Sequence, residues 1–168
     1  MQTLQPRGQI GFRLIRDTDR DFLFDLYAET REWEFRLTRW SPEDKRDFLE
    51  RQFTLREQGY RMQFPGAVFR ILQLDGEDIG RLTVDRQDDC LRIIDLTIAA
   101  PWRGRGIGTD LLRSLINEAH GGKVPVRLSV ERNNPAMALY TRHGFVVTGE
   151  MGTHLALEWR PPSGPRWI

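Results

Sequence analysis

The chain has 168 residues, close to the ~100–200-residue size of one domain and long enough to bury roughly two-thirds of its unfolded surface. Hydrophobic residues at 39% and charged residues at 29% exclude wholesale disorder. The 25 Lys+Arg and 24 Asp+Glu leave a net charge of +1, which excludes a strong whole-molecule field toward nucleic acid or an acidic membrane.

Residues 1–9 are polar, contain Pro6 and Gly8, and read as an N-terminal arm ahead of a domain expected over 10–160. Phe12 and Leu14 mark a short strand over 10–15. Asp17 is placed to cap a first helix, whose Phe22, Leu23, Leu26 and Tyr27 recur at helical spacing up to Arg31. Ser41-Pro42-Glu43-Asp44 starts a second helix: a capping hydroxyl, proline in the first turn, acids at the positive dipole end. That helix carries Phe48, Leu49 and Phe53 and is expected to stop near Gly59.

The middle of the chain reads as β. Val68–Leu74 and Ile79–Asp85 flank Asp75-Gly76, a hairpin signal, and Leu91–Ile98 follows the Gln87-Asp88-Asp89 turn. Three such strands in succession make an antiparallel meander. The period then changes. From Gly108 to His120, Leu111, Leu112, Leu115, Ile116 and Ala119 line one helical face, with Gly121-Gly122 as the expected stop. Val126–Val130 reads as a strand, Pro135–His143 as a short helix, and Phe145–Glu150 and Thr153–Trp159 as strands. The proline-rich tail, 161–168, cannot hold a ladder. Strand, helix, strand implies a right-handed parallel crossover joined to the meander. The fold class is α+β, a mixed α/β chain.

The most informative residues are Arg103-Gly104-Arg105-Gly106-Ile107-Gly108-Thr109, between a strand and a helix start. Glycine lets backbone N–H groups approach a ligand and adopt positive φ. The helix start offers unpaired N–H donors and partial positive charge, and Arg103 and Arg105 add formal charge. A plain tight turn is the competing reading. A Walker loop would need Lys before a hydroxyl residue, and Gly108 is followed by Thr109-Asp110. A dinucleotide fingerprint would need a glycine where Thr109 stands.

Arg103-x-x-Gly106-x-Gly108 resembles the pyrophosphate signature of the GNAT superfamily, the acetyl-CoA-dependent N-acetyltransferases. Asn133-x-x-Ala136-x-x-Leu139-Tyr140-x-x-x-Gly144-Phe145 resembles that family's second signature. The resemblance is strong over residues 79–150, while residues 10–78 match in element order. It implies a GNAT-like fold, with a mixed, mostly antiparallel sheet flanked by helices and splayed between the fourth and fifth strands. It also implies that backbone amides from Arg103 to Thr109 hold the CoA pyrophosphate. The pantetheine arm would pair with the splayed strand, where a backbone N–H near Thr97 or Ile98 would polarise the thioester carbonyl. Asn133 matches the asparagine on the CoA arm, with capping of the next helix as its other reading. Tyr140 matches the tyrosine that protonates the departing thiolate, with packing as its other reading.

One departure concerns the general base. Where relatives place a glutamate early in the fourth strand, this chain has Arg92 and Ile93. Asp95 and Glu131 are the nearby acids, and solvent is a third option, so the base is unassigned. The resemblance puts acceptor specificity in residues 31–40, where Trp33, Glu34 and Phe35 would clamp a cationic amine or, equally, cover the core.

Cys90 is the only cysteine, so no intrachain disulfide or cysteine zinc site can form. His120, His143 and His154 lack metal-ligand spacing, so no metal is expected. No ~18-residue apolar window or signal-like stretch is present, which points to a cytoplasmic enzyme without a membrane or nucleic-acid partner. The expected reaction moves the acetyl group of acetyl-CoA to a primary amine of a small molecule or peptide, in a monomer or homodimer. The rival is a CoA-binding regulatory module of the same fold with little turnover.

Overall fold

The computed structural model describes residues 8–163, so most of the expected arm and the end of the expected tail lie outside the described residues. Strands β1 (Ile10–Leu14), β2 (Val68–Leu74), β3 (Glu77–Arg86), β4 (Leu91–Ile98), β5 (Val126–Glu131), β6 (Val146–Met151) and β7 (His154–Trp159) form a seven-stranded sheet in the order β1-β2-β3-β4-β5-β7-β6. The chain forms two compact units. Of the described residues, one takes in those up to Leu82 together with Leu96–Trp102, and the other is Thr83–Asp95 with those from Arg103 onward.

In the first unit, β1 (Ile10–Leu14) pairs antiparallel with β2 (Val68–Leu74), with Phe12 opposite Leu72. β2 turns through Asp75-Gly76 into β3 (Glu77–Arg86, in this unit as far as Leu82), and both turn residues have positive φ, as a two-residue hairpin requires. Arg13 on β1 reaches Asp19 at 2.8 Å and Asp78 at 2.6 Å, fastening the strand to the start of the first helix and to β3.

Helix α1 (Arg20–Arg31) ends where its periodicity predicts but starts later. Asp17 opens a 3₁₀ turn over Asp17–Asp19 instead of capping the helix. Asp19 accepts the Arg16 N–H and the Arg13 fork, so that carboxylate organises the entry. Helix α2 (Pro42–Gln63) begins as the sequence signals, the Ser41 hydroxyl accepting the Asp44 N–H at 3.1 Å. It does not stop at Gly59. A glycine inside a helix costs about 1 kcal/mol relative to alanine without breaking the hydrogen-bond ladder. The helix runs four residues further, and Pro65 after the Phe64 cap prevents continuation.

Leu23, Phe24, Leu26 and Tyr27 of α1 meet Leu49 and Phe53 of α2, Phe35, and Ile71 of β2 in one core cluster. Arg81 of β3 is only 1% exposed and is neutralised by Glu57 of α2 at 2.6 and 3.2 Å. Such a fork-to-fork pair lets a charge stay inside at a tolerable cost.

In the second unit, β4 (Leu91–Ile98, reaching this unit as far as Asp95) runs parallel to β5 (Val126–Glu131). The crossover between them is α3 (Ile107–Gly122), with Leu111, Leu112, Leu115 and Ala119 buried. Glycines do not cap α3 at its end. Lys123 takes the left-handed conformation, its N–H bonding His120 O while the Val124 N–H reaches Ala119 O. These two bonds form a Schellman motif, which tolerates a non-glycine at about 1–2 kcal/mol. α4 (Met137–Arg142) is shorter than its pattern suggests, because the Asn134 side chain accepts the Ala136 N–H and makes a turn first. β6 (Val146–Met151) pairs with β7 (His154–Trp159), and β7 pairs antiparallel along the whole of β5.

Candidate active site

The glycine turn has the shape its composition demands. Gly104 (φ 73°) and Gly106 (φ 80°) both occupy the left-handed region, where a Cβ costs about 1–2 kcal/mol. Gly106 is the N-cap of α3 and its carbonyl takes the Asp110 N–H at 3.0 Å. No side chain caps this end, so the first-turn amides and the positive end of the dipole are presented by backbone alone. Arg103, Gly104 and Arg105 are exposed, Gly106, Gly108 and Thr109 are half-buried, and Ile107 is buried as the anchor of the helix start.

The parallel ladder between β4 and β5 is short. Leu91, Arg92 and Ile93 face Val126, Arg127 and Leu128, and the register ends there although β4 reaches Asp95 within this unit and β5 reaches Glu131. The two strands therefore part company at Ile94, as the expected splay requires.

Asp95 continues the inward face of Leu91 and Ile93 and is buried. Tyr140 is also buried, its ring edge-on to Phe145 at 5.6 Å between centroids. Burial pushes the Tyr140 phenol up to about 12, and the negative charge of Asp95 adds to the rise. The fold thus brings together one expected acid and the expected tyrosine, which keeps its proton throughout the neutral range. Asn133 is exposed and stays out of the turn before α4, where Asn134 does the hydrogen bonding. Glu131, the other acid considered as base, lies at the end of β5 with His154 at 4.0 Å. Cys90 is buried, its thiol bonding the Gln87 side chain at 3.3 Å, and burial raises its pKa.

In the first unit, Thr97 and Ile98 end β4 against β3. A Cβ on Gly80 would lie 2.3 Å from the Thr97 carbonyl oxygen, so a bare backbone at 80 is what lets β3 approach. Sequence reading passed over Gly80; the signal available was a glycine inside an otherwise apolar strand. Residues 31–40 divide in two. Phe35 is buried and packs against Trp40 and Phe48, while Trp33 is half exposed. The Glu34 carboxylate is gripped by both arms of Arg31, one at 2.6 Å, and Arg31 also donates to the Tyr27 hydroxyl. Glu34 is thus already neutralised from within the segment. Asp25 and Glu29 on α1 are acids that sequence reading did not single out. Glu29 accepts the N–H of Ala100, just past β4, at 3.1 Å.

Among the described residues no group of three or more His, Cys, Asp or Glu is placed to hold a metal ion, and no helix is long and apolar enough to cross a membrane.

A family model described as the acetyltransferase (GNAT) family matches residues 12–145. Among solved structures, the PaiA N-acetyltransferase of Thermoplasma acidophilum, in complex with coenzyme A, is similar at TM-score 0.65 and 19% identity, over 90% of this chain and 99% of that one. An acetyltransferase from Thermus thermophilus is similar at TM-score 0.61 and 20% identity, over 92% and 97%. Ard1 from Thermoplasma volcanium is similar at TM-score 0.59 and 16% identity, over 92% and 99%. At such identities these likenesses speak for the fold. No match was found among curated proteins.

Proposed function

The chain belongs to the acetyltransferase (GNAT) family, whose members use acetyl-CoA, and from that premise we propose that it moves the acetyl group directly to a primary amine of a small molecule or peptide. The observation that carries this reading is the glycine turn. Two left-handed glycines lead into a helix start without a side-chain cap, the arrangement a pyrophosphate fits. Arg103 to Thr109 would hold the CoA pyrophosphate through backbone amides, with Asn133 on the arm beyond it. The early end of the β4–β5 register supports an extended pantetheine arm on β4.

In this reading backbone at Thr97 or Ile98 donates to the thioester carbonyl, strengthening as negative charge develops on that oxygen. The amine attacks, the C–S bond breaks, and the Tyr140 hydroxyl protonates the departing thiolate. The raised phenol pKa keeps the proton on the hydroxyl through the neutral range but makes it a weaker acid, so the transfer depends on the charge that builds on sulfur as the C–S bond breaks. The base that removes the ammonium proton is open between Asp95, Glu131 and water. Transfer is direct within a ternary complex. Cys90, the only thiol, is buried and its pKa is raised, a poor setting for an acyl-carrying nucleophile.

Acetyl-CoA at one hundred times its dissociation constant should raise the melting temperature by about 5–10 °C, by linkage to the folded state. Gly106→Glu should abolish the shift by setting a carboxylate among the phosphate oxygens. An undiminished shift in that variant would remove the pyrophosphate assignment. Release of free CoA with a panel of amines tests turnover, and a thermal shift without CoA release from any amine would leave a CoA-binding module.

A further inference from the structure

Among the described residues the sheet ends on β1 at one side and on β6 at the other. A terminal strand presents a row of N–H and C=O groups able to add another strand, and proteins blunt such edges with bulges, charges or proline. β6 has these devices. Its register shifts between Val147 and Gly149, and its Glu150 is ion-paired with Arg132 at 3.2 Å. β1 lacks them. Its register against β2 is unbroken from Ile10 to Leu14, it holds no proline, and its one charge, Arg13, is drawn to Asp19 and Asp78 of its own unit.

The hydrogen bonds flanking β1 fix which groups face outward. Ile15 donates its N–H to Phe69 O at 3.1 Å, and Gln9 O accepts the Asp75 N–H at 3.0 Å, so the odd-numbered residues bond toward β2. The N–H and C=O groups of Ile10, Phe12 and Leu14 therefore point away from the sheet. Leu14 O takes one Arg13 N–H at 3.3 Å and keeps a second lone pair. The side chains of these same three residues share one face. Along that face burial stops between the two strands: Leu72 of β2 is fully buried, whereas Phe12 opposite it is 44% exposed and Leu14 is 63% exposed.

We propose that the outer edge of β1 pairs antiparallel with β1 of a second copy of this chain, about a twofold axis at Phe12. In that register Phe12 meets its own counterpart and Ile10 meets Leu14, so the apolar row runs unbroken across the seam. Arg13 falls opposite Gly11, and no like charges meet. The outward N–H and C=O groups of Ile10, Phe12 and Leu14 bond one another. A slip by two residues would set Arg13 against Arg13 or leave Leu14 opposite Gly8, outside the strand, so the charges and the strand length select this register. The strand is short, so the contact lies below the ~1,200 Å² of standard interfaces and the dimer is a reversible one of micromolar affinity.

Sedimentation velocity on the full chain should show a monomer–dimer equilibrium between about 5 and about 500 μM. Phe12→Lys sets a charge against itself at the axis and should weaken association by about tenfold or more, as should Phe12→Glu. An equimolar mixture of the two variants should recover a heterodimer, because lysine then faces glutamate. If the Phe12 variants fail to fold, Leu14→Lys at the more exposed position carries the test, with a weakening by a smaller factor. The proposal is overturned by a parent that stays monomeric throughout, by association undiminished in Phe12→Lys or Leu14→Lys, or by a mixture that remains monomeric. Amide exchange identifies the rival occupant: a monomer whose Ile10, Phe12 and Leu14 N–H groups are protected has this edge covered by its own chain, which excludes the second copy.

Discussion

At the scale of single residues, the candidate site contains groups whose ordinary behaviour is altered by burial or by a neighbour. Tyr140 is the clearest case. Its phenol is raised to about 12, so it stays protonated over the whole range in which an acetyltransferase is assayed. Tyr140→Phe should lower kcat by about 10²-fold while leaving acetyl-CoA affinity within a few-fold, because a proton given to a leaving thiolate matters in the transition state more than in binding. Wild-type turnover in that variant would make Tyr140 a packing residue. Its motif was legible in the sequence, since the flanking residues lie within a few positions of it. Its proximity to Asp95 was not, because nothing local links β4 to α4.

At the scale of elements, the closest approach between β3 and the end of β4 depends on position 80. A methyl group there would sit 2.3 Å from the Thr97 carbonyl oxygen, and neither partner is a flexible side chain that could swing away. Gly80→Ala should therefore destabilise the protein by about 1–3 kcal/mol, the usual cost of overpacking, read as a lowered denaturant midpoint. It should also raise the KM for acetyl-CoA, because Thr97 and Ile98 move with the displaced strand. A variant with parental stability would show that β4 accommodates the methyl without strain. Gly59 makes the opposite point. A Cβ there meets nothing within 4 Å, and the helix runs through it. Two glycines alike on paper differ because one faces a neighbouring backbone and the other faces open space.

At the scale of the whole molecule, each unit contains a buried carboxylate held ionised by arginine. Arg13 holds Asp19 below its ordinary value of 3.8, and Arg127 with Arg160 holds Glu158 below its ordinary value of 4.5. A carboxyl group with a depressed folded pKa contributes stability that is present above its unfolded pKa and is lost as pH falls through the folded one. Unfolding free energy should therefore hold level from neutrality to about pH 4.5 and fall below it. Asp19→Asn and Glu158→Gln should each flatten that fall, as measured by urea titrations over a pH series. An acid limb unchanged by both substitutions would place the sensitivity in other carboxylates.

What the sequence by itself determined is whatever a few neighbouring residues can encode. Among the described residues, periods of two and 3.6 located the strands and the α-helices; Ser41 and Pro42 set the start of α2; three alternate glycines before an amphipathic helix marked the turn proposed to hold an anion. What only the tertiary structure decided is which distant groups meet. Glu29 finds the N–H of Ala100 across 71 positions, Arg81 is buried on Glu57 across 24, and Asp95 comes to act on Tyr140. Even the nearby pair Arg31 and Glu34 was decided there, since i,i+3 spacing permits such a bond but the turn after α1 aims both side chains at it. Spacing restricts what one element presents. A charge is neutralised by whatever the folded chain sets opposite it.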